Sequence, residues 1–327
     1  MTDAHSEAAD PTTPPRAEAW AGIDVHGDVM RYAAVERYRG RQRRLLRLGH
    51  CDFEFEAAPV LFQEEVQDDL RTMTEALQDA FAGASIEQLR VVLHPPDCYS
   101  FFTPVPDGFS PEETEQRLHE EATLLAQTEA ESQLQLTSNA LYDEVLDGER
   151  VRWHHVLGVE STVWSRLERL FEGVSAGDYQ AMLSMQAAGR VLTTTQQQTT
   201  KETGNDNSDS ENDAYGLAIG WYPRHVEFSL SRGAEWRFGH FTSVGSPADC
   251  AYFAVALLNR MKLKPQDVGR LRLYGDEVDV SRFDLLERIF EVRPRRLSAV
   301  PLLEADAESF TARFNPEAYA TCIGAAL

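Results

Sequence analysis

Residues 20–36 read WAGIDVHGDVMRYAAVE, two largely apolar stretches that meet at a turn around Gly27. Stretches of this length on either side of a glycine predict two short strands, at 20–25 and 29–36. Further along, the sequence predicts a third strand at 44–55, a helix at 60–81 with apolar residues every three or four positions, and a strand at 89–93. The first part of the chain therefore has the predicted order strand, strand, strand, helix, strand.

The second part of the chain repeats this order. The sequence predicts strands at 215–220, 224–230 and 235–244, a helix at 246–263 and a strand at 271–274. The start of the helix is well marked, because Ser246 can cap it and Pro247 suits its first position. A repeated unit of this kind predicts an α/β protein with two lobes and a central cleft, a favoured place for ligands. Two unrelated α/β domains with the same order of elements are the alternative.

Two segments differ from the rest in composition. Residues 1–19 are polar, acidic and interrupted by prolines, and residues 193–213 (TTTQQQTTKETGNDNSDSEND) contain no apolar residue. Such segments cannot bury enough apolar surface to offset the entropy lost on ordering. The sequence therefore predicts a disordered tail at 1–19, a first lobe at 20–190, a disordered linker at 193–213 and a second lobe at 214–327.

The charge of the chain excludes several partners. The formal net charge is −22, from 53 acidic and 31 basic residues. Nucleic acids and anionic lipids attract cationic surfaces, so neither is expected to bind. Acidic residues are spread throughout, and Lys201, Lys262 and Lys264 are the only lysines. This pattern predicts adaptation to high salt, where an acidic surface keeps a protein soluble.

The sequence also indicates where the chain resides. It has no apolar run of about 18 residues, the length needed to cross a bilayer. Residues 1–18 lack the hydrophobic region of a signal peptide. We therefore expect a cytoplasmic protein that is not inserted directly in the membrane. The cysteines lie far apart, with no CxxC pair and no His at ligand spacing, which favours free thiols over a zinc site.

Several short motifs resemble those of one known family. Residues 21–29 (AGIDVHGDV) resemble the first phosphate motif of actin-like ATPases, especially the type IV pilus assembly protein PilM family. Later stretches resemble further parts of that family, namely 34–36 (AVE), 91–96 (VVLHPP), 101–106 (FFTPVP) and 314–326 (FNPEAYATCIGAA). The resemblance implies a duplicated ribonuclease H-like (actin-like) fold, with an inserted subdomain at about 97–157 and a C-terminal helix that returns to the first lobe.

The same resemblance implies which residues surround a nucleotide. The cleft would be lined by Asp24, Gly27, Gly220 and Gly275. Asp24 would hold the water shell of a magnesium ion, if a Mg–nucleotide binds.

The phosphate motifs depart from the family pattern at important positions. His26 stands where the family has glycine, and Ala218 replaces the acid of the second phosphate motif. Because Mg²⁺ needs hard oxygen ligands, the loss of this carboxylate leaves Mg–ATP with little to anchor it. Arg224 could contact an anion instead, although an exposed hairpin arginine is the simpler interpretation.

These departures favour a non-catalytic, PilM-like scaffold or assembly protein, a pseudo-ATPase with no catalytic residue and no cofactor. An ATP-binding protein or slow ATPase that uses ATP and Mg²⁺ is the alternative, followed by a sugar-kinase-like enzyme, for which no catalytic Asp stands out. The resemblance implies a protein partner, a peptide of a membrane assembly component, which would hold the chain at the inner membrane. We expect the inserted subdomain at 97–157 to provide the partner surface.

Two other patterns have structural interpretations. His154 and His155 are adjacent in a predicted strand, so they face opposite sides and cannot easily share a metal. Ser110 and Glu113 form a capping-box pattern at the start of a predicted acidic helix at 110–133.

Overall fold

The computed structural model describes residues 18–38, 43–63, 66–95, 98–126, 134–174, 176–202, 214–276, 278–305, 310 and 314–327. Residues 1–17 of the predicted tail and 203–213 of the predicted linker lie outside the described residues. Among the described residues, no helix is both long enough and apolar enough to cross a bilayer.

The elements follow the chain in this order. The strands are β1 (Glu18–His26), β2 (Val29–Arg37), β3 (Arg43–Asp52), β4 (Ile86–Leu93), β5 (Tyr99–Pro106), β6 (Leu134–Leu146), β7 (Glu149–Glu160), β8 (Ala176–Leu183), β9 (Tyr215–Trp221), β10 (Val226–Arg232), β11 (Glu235–Thr242), β12 (Val268–Gly275) and β13 (Arg295–Arg296). The helices are α1 (Ala57–Val60), α2 (Gln67–Ala80), α3 (Pro111–Ala126), α4 (Ser161–Phe171), α5 (Ser184–Glu202), α6 (Pro247–Arg260), α7 (Asp284–Phe290) and α8 (Ala320–Ala326).

The two large sheets have the same topology. The first has the strand order β3-β2-β1-β4-β8, and the second has the order β11-β10-β9-β12-β13. In each sheet the first three strands pair antiparallel and the remaining pairs are parallel. A helix, α2 or α6, connects the third strand to the fourth in both lobes. The predicted duplication of a strand, strand, strand, helix, strand unit is therefore confirmed.

Each sheet has its own apolar core on one face. In the first lobe, Ile23 of β1 packs in one cluster with residues of α2 and α4, among them Leu77 and Leu167. In the second lobe, Phe228 of β10 packs in a cluster with Leu258 of α6. The apolar residues of each helix lie on one face, which is buried against the sheet.

A third cluster joins the lobes through two helices rich in small residues. Helix α8 packs against β1, β2 and β4 of the first sheet and against α5, while α5 packs against β9, β10 and β11 of the second. Contact is close at two glycines. A Cβ atom on Gly22 would lie 1.9 Å from the Cys322 carbonyl oxygen, and one on Gly324 would lie 2.1 Å from the Ala187 carbonyl oxygen. The lobes are thus joined by backbone-to-backbone packing that glycine alone permits.

The inserted subdomain has its own three-stranded sheet, in the order β5-β7-β6, with α3 packed against it. The β6–β7 turn has positive φ at both Asp147 and Gly148, as a tight hairpin requires. The predicted capping box of α3 is confirmed, because the Glu113 amide donates to Ser110 Oγ at 3.2 Å and the Ser110 amide donates to Glu113 Oε2 at 2.8 Å.

Two boundary predictions are wrong. Residues 193–202 continue helix α5 instead of belonging to a disordered linker, and Thr193 and Gln196 are buried. Composition misjudges this stretch because a helix already formed from Ser184 extends at little further cost. The predicted tail also ends too late, because β1 begins at Glu18 and Ala19 pairs with Glu36.

The single helix predicted at 60–81 is divided. The Phe62 amide donates to the Pro59 carbonyl at 2.9 Å, which closes a turn after α1. The next helix, α2, starts at Gln67, with Asp68 and Asp69 in its first turn, where acids favour a helix start.

Candidate functional site

The strand ends of both lobes meet at the central cleft and bring polar side chains together. Asp24 lies near the end of β1 and His94 directly follows β4, which runs parallel to β1. Strands β9 and β12 of the second lobe end at the same cleft, and Glu227 extends from β10 toward it. Because the carboxyl ends of parallel strands share one edge, the duplicated topology collects these groups.

His94 bridges the two lobes. Its Nε2 lies 2.8 Å from Asp24 Oδ1 and its Nδ1 lies 2.9 Å from Glu227 Oε1, and all three side chains are buried. Burial alone lowers the pKa of His94, but the two carboxylates outweigh it and raise the pKa to about 10. His94 is therefore a cation that donates to one carboxylate from each lobe.

Asp24 is held on its other side by the C-terminal helix. The Thr321 hydroxyl of α8 donates to Asp24 Oδ2. Burial raises the pKa of Asp24, but His94, Arg31 and the hydrogen bonds lower it below the ordinary value. Asp24 is thus an ionised carboxylate that ties β1, β4 and α8 together.

Among the described carboxylates of the cleft, Glu227 has the most hydrogen-bond partners. Ser184 Oγ donates to its Oε1 at 2.6 Å, His225 Nε2 lies 3.0 Å from the same oxygen, and the Tyr274 hydroxyl donates to Oε2 at 2.7 Å. Burial raises the pKa of Glu227, but the pairing with His94 and the hydrogen bond from His225 outweigh burial and lower it. Glu227 is therefore ionised and joins β10, β12, β4 and the start of α5.

A second layer of side chains closes the cleft around this network. Asp276 Oδ2 lies 3.0 Å from His26 Nδ1, and Asp276 Oδ1 lies 2.8 Å from the Arg31 guanidinium. These contacts form a second connection between the lobes. The Tyr222 ring stacks on the His225 ring, with centroids 5.0 Å apart and planes 16° apart. Beyond this layer, a cavity of about 560 Å³ reaches the network and is lined by His26, His94 and His225 together with Phe62, Pro223 and Phe241.

The structure brings all four predicted nucleotide residues to this cleft. Asp24 lies inside the network. Gly27 has φ +59° in the β1–β2 turn, and its carbonyl accepts from the Ala57 amide at 2.7 Å. Gly220 lies on β9 and Gly275 lies on the neighbouring strand β12. A Cβ atom on Gly220 would lie 2.7 Å from the Tyr274 ring, and one on Gly275 would lie 2.5 Å from the Trp221 carbonyl oxygen. These last two glycines serve close packing within the second lobe.

Three other residues singled out from the sequence also have clear positions in the structure. Arg224 is exposed in the turn between β9 and β10, with its guanidinium 3.8 Å from Glu56, and it also lines the cleft cavity. His154 and His155 face opposite sides of β7, and His155 is buried with Nε2 2.9 Å from Ser100 Oγ. They form no common site.

His94, Glu227, Tyr274 and Thr321 were not predicted as site residues. One signal was available, since His94 directly follows the strand predicted at 89–93, which in the structure runs beside β1. A polar residue at the carboxyl end of a central parallel strand lies at the edge where sites form. The other residues carry no comparable signal, because they meet Asp24 or His94 only after the lobes pack together.

The matched topologies and the shared cleft define the class of this protein. It has the duplicated ribonuclease H-like (actin-like) fold, with two lobes around a central cleft.

Among solved structures, the chain is similar to the PilM-PilN type IV pilus biogenesis complex. The TM-score is 0.71 at 14% identity, over 95% of this chain and 98% of the other. A protein of unknown function with an actin-like ATPase fold from Bacteroides thetaiotaomicron matches with a TM-score of 0.45 and 10% identity, over 88% and 93% of the two chains. No family model matches the sequence, and no curated protein sequence matches it.

Proposed function

We propose that this chain is a PilM-like assembly scaffold whose cleft no longer binds Mg–ATP. The observation that supports the proposal is the buried His94 bridge between Asp24 and Glu227, which occupies the cleft where the phosphate motifs meet. A triphosphate in this space would face the carboxylates of Asp24, Glu227 and Asp276. Like charges in a space of low dielectric repel strongly.

The energy of the bridge supports the same conclusion. To reach Asp24, a Mg–triphosphate would have to separate His94 from one of its carboxylates. Leaving one buried charge unpaired costs about 3–5 kcal/mol, which weakens binding by a factor of at least about 100. Ala218, in place of the second acid, offers no metal ligand in return.

The first test is thermal unfolding with millimolar Mg–ATP, with MgCl₂ alone as the control. We expect the same melting temperature in both solutions, because a ligand that does not bind the native state does not stabilise it. A rise of several degrees with Mg–ATP, abolished by Asp24→Ala, would instead support an ATP-binding protein or slow ATPase.

The inserted subdomain supplies a surface for a partner peptide. A groove of about 480 Å³ lies between α3 and the sheet β5-β7-β6, and it is lined by apolar side chains that include Val105, Phe109, Leu118 and Leu136. Charged side chains, among them Asp107, stand in the same groove. An apolar floor with polar groups at the edge is typical of sites that bind short peptides.

We propose that the occupant of this groove is a peptide of a PilN-type membrane component. One solved structure similar to this chain is a complex of PilM with PilN. Such a partner would place the chain at the cytoplasmic side of the inner membrane.

Phe109→Ser tests this surface. Phe109 is 40% exposed, so its replacement affects the groove more than the core. We expect the variant to bind a labelled peptide from the cytoplasmic end of the organism's own PilN-type protein at least about tenfold more weakly, because apolar anchors carry much of the affinity of an interface. Fluorescence anisotropy measures the dissociation constant.

The matched control is Tyr252→Ser, which removes an aromatic ring that is 69% exposed on α6 of the second lobe. We expect this variant to bind like the unmodified chain. Equal weakening by both substitutions, or no binding by the unmodified chain, would count against the groove as the peptide site.

A further inference from the structure

Three potential metal ligands converge at the bottom of the cleft. His94 Nδ1, His225 Nε2 and Glu227 Oε1 lie within 4.8 Å of one another, and all three residues are buried. The two nitrogen atoms are 2.9 and 3.0 Å from the carboxylate oxygen. Around a four-coordinate ion with bonds of about 2.0–2.1 Å, neighbouring ligand atoms lie only slightly further apart than these nitrogen and oxygen atoms do.

We propose that His94, His225 and Glu227 form a binding site for a divalent transition metal of the zinc class. Two imidazoles and one carboxylate are the donor set that zinc and cobalt prefer over magnesium, which takes oxygen ligands. The site is distinct from the magnesium position predicted at Asp24, and it does not depend on the proposed scaffold function.

Neighbouring residues hold these ligands in orientations suited to a metal. Asp24 accepts from His94 Nε2, which directs the Nδ1 atom toward the site. The Tyr274 hydroxyl donates to Glu227 Oε2, while Oε1 accepts from Ser184 Oγ and faces the two histidines. Carboxylates that accept from the second nitrogen of a metal-binding histidine are a regular part of zinc sites.

The charge of the site also suits a divalent cation. Asp24, Glu227 and Asp276 place three carboxylates around this part of the cleft, and Arg31 pairs with Asp276. Two of these carboxylates, Asp24 and Glu227, are buried and share the His94 imidazole as their partner. A divalent ion that takes the place of one imidazole proton balances both of them, which lowers the cost of burying the charges.

The cavity supplies an entry route and a free coordination position. Both His94 and His225 line the cavity of about 560 Å³. Three protein ligands beside an accessible space leave a fourth position for water or a bound molecule, the arrangement of open zinc sites.

The test uses the full chain, stripped of metal with EDTA and titrated with Zn²⁺ and Co²⁺. We expect one ion per chain, and visible absorption bands of four-coordinate Co²⁺ without thiolate charge transfer. His225→Ala should weaken binding at least about 100-fold. His240→Ala, which removes a partly buried histidine of β11, should bind like the unmodified chain.

A second measurement needs no variant and so remains decisive if His225→Ala does not fold. Proton NMR of the Co²⁺-loaded chain should show two strongly shifted, exchangeable imidazole N–H signals, one from each histidine ligand. The proposal is wrong if the folded chain binds no stoichiometric Zn²⁺, if the spectrum shows fewer than two such signals, or if His225→Ala and His240→Ala bind zinc equally.

Discussion

Replacing Glu227 with leucine is expected to lower the free energy of unfolding by about 3–5 kcal/mol. The carboxylate accepts from His225, Ser184 and Tyr274 and pairs with His94, so its removal leaves four buried polar groups without this partner. The loss should appear in urea unfolding followed by circular dichroism. EDTA in the buffer keeps any bound metal from contributing.

Two further variants show whether burial and pairing cause the loss. Glu227→Gln keeps the volume and part of the hydrogen bonding, so we expect a smaller loss of about 1–3 kcal/mol. Glu235→Ala removes an acid that is 46% exposed and pairs with Arg237 on the surface, where such pairs contribute at most about 1 kcal/mol. If Glu227→Leu is no more costly than Glu235→Ala, the cleft is not organised around Glu227.

The repeated order of elements was predictable because its signals are local. Strand and helix periods, the glycine turn at Gly27 and the cap at Ser246 depend on residues close together in sequence. The Ser246 hydroxyl does accept from the Asp249 amide at 3.2 Å. The resemblance of residues 21–29 to a family motif identified Asp24 as a cleft residue, and that motif was recognisable because it lies within one hairpin.

The pairing of Asp24 with its partners was not predictable, because they are distant along the chain. His94 lies 70 positions from Asp24 and 133 from Glu227. The alternation of Val226 and Phe228 leaves Glu227 on the other face of β10, which is buried because α5 covers it. There the Ser229 hydroxyl of the same face donates to the Met185 carbonyl at 2.8 Å.

The wrong linker prediction has the same physical origin. Residues 193–202 lack apolar side chains, so their composition indicates disorder, yet they extend helix α5, which packs against the second sheet and α8. Contacts made by the whole of α5 determine that this segment is helical and not disordered. A composition window cannot include them.

Gly22→Ala is expected to destabilise the chain by about 3 kcal/mol, at the upper end of the usual cost of overpacking. The added methyl would lie 1.9 Å from the Cys322 carbonyl oxygen and 2.8 Å from Ala325 Cβ. Because backbone atoms of α8 block the methyl, no rotamer change relieves the clash, and the whole helix must move away from β1. Thr321 would move with it and lose its hydrogen bond to Asp24.

Gly108→Ala is the matched control, because a Cβ atom at Gly108 would meet no atom within 4 Å. That substitution should change the free energy of unfolding by no more than about 0.5 kcal/mol. Gly324→Ala, whose methyl would lie 2.1 Å from the Ala187 carbonyl oxygen, should behave like Gly22→Ala, since both prevent α8 from docking. If Gly22→Ala unfolds at the same urea concentration as Gly108→Ala, α8 does not join the two lobes as described, and the cleft residues it positions lose their support.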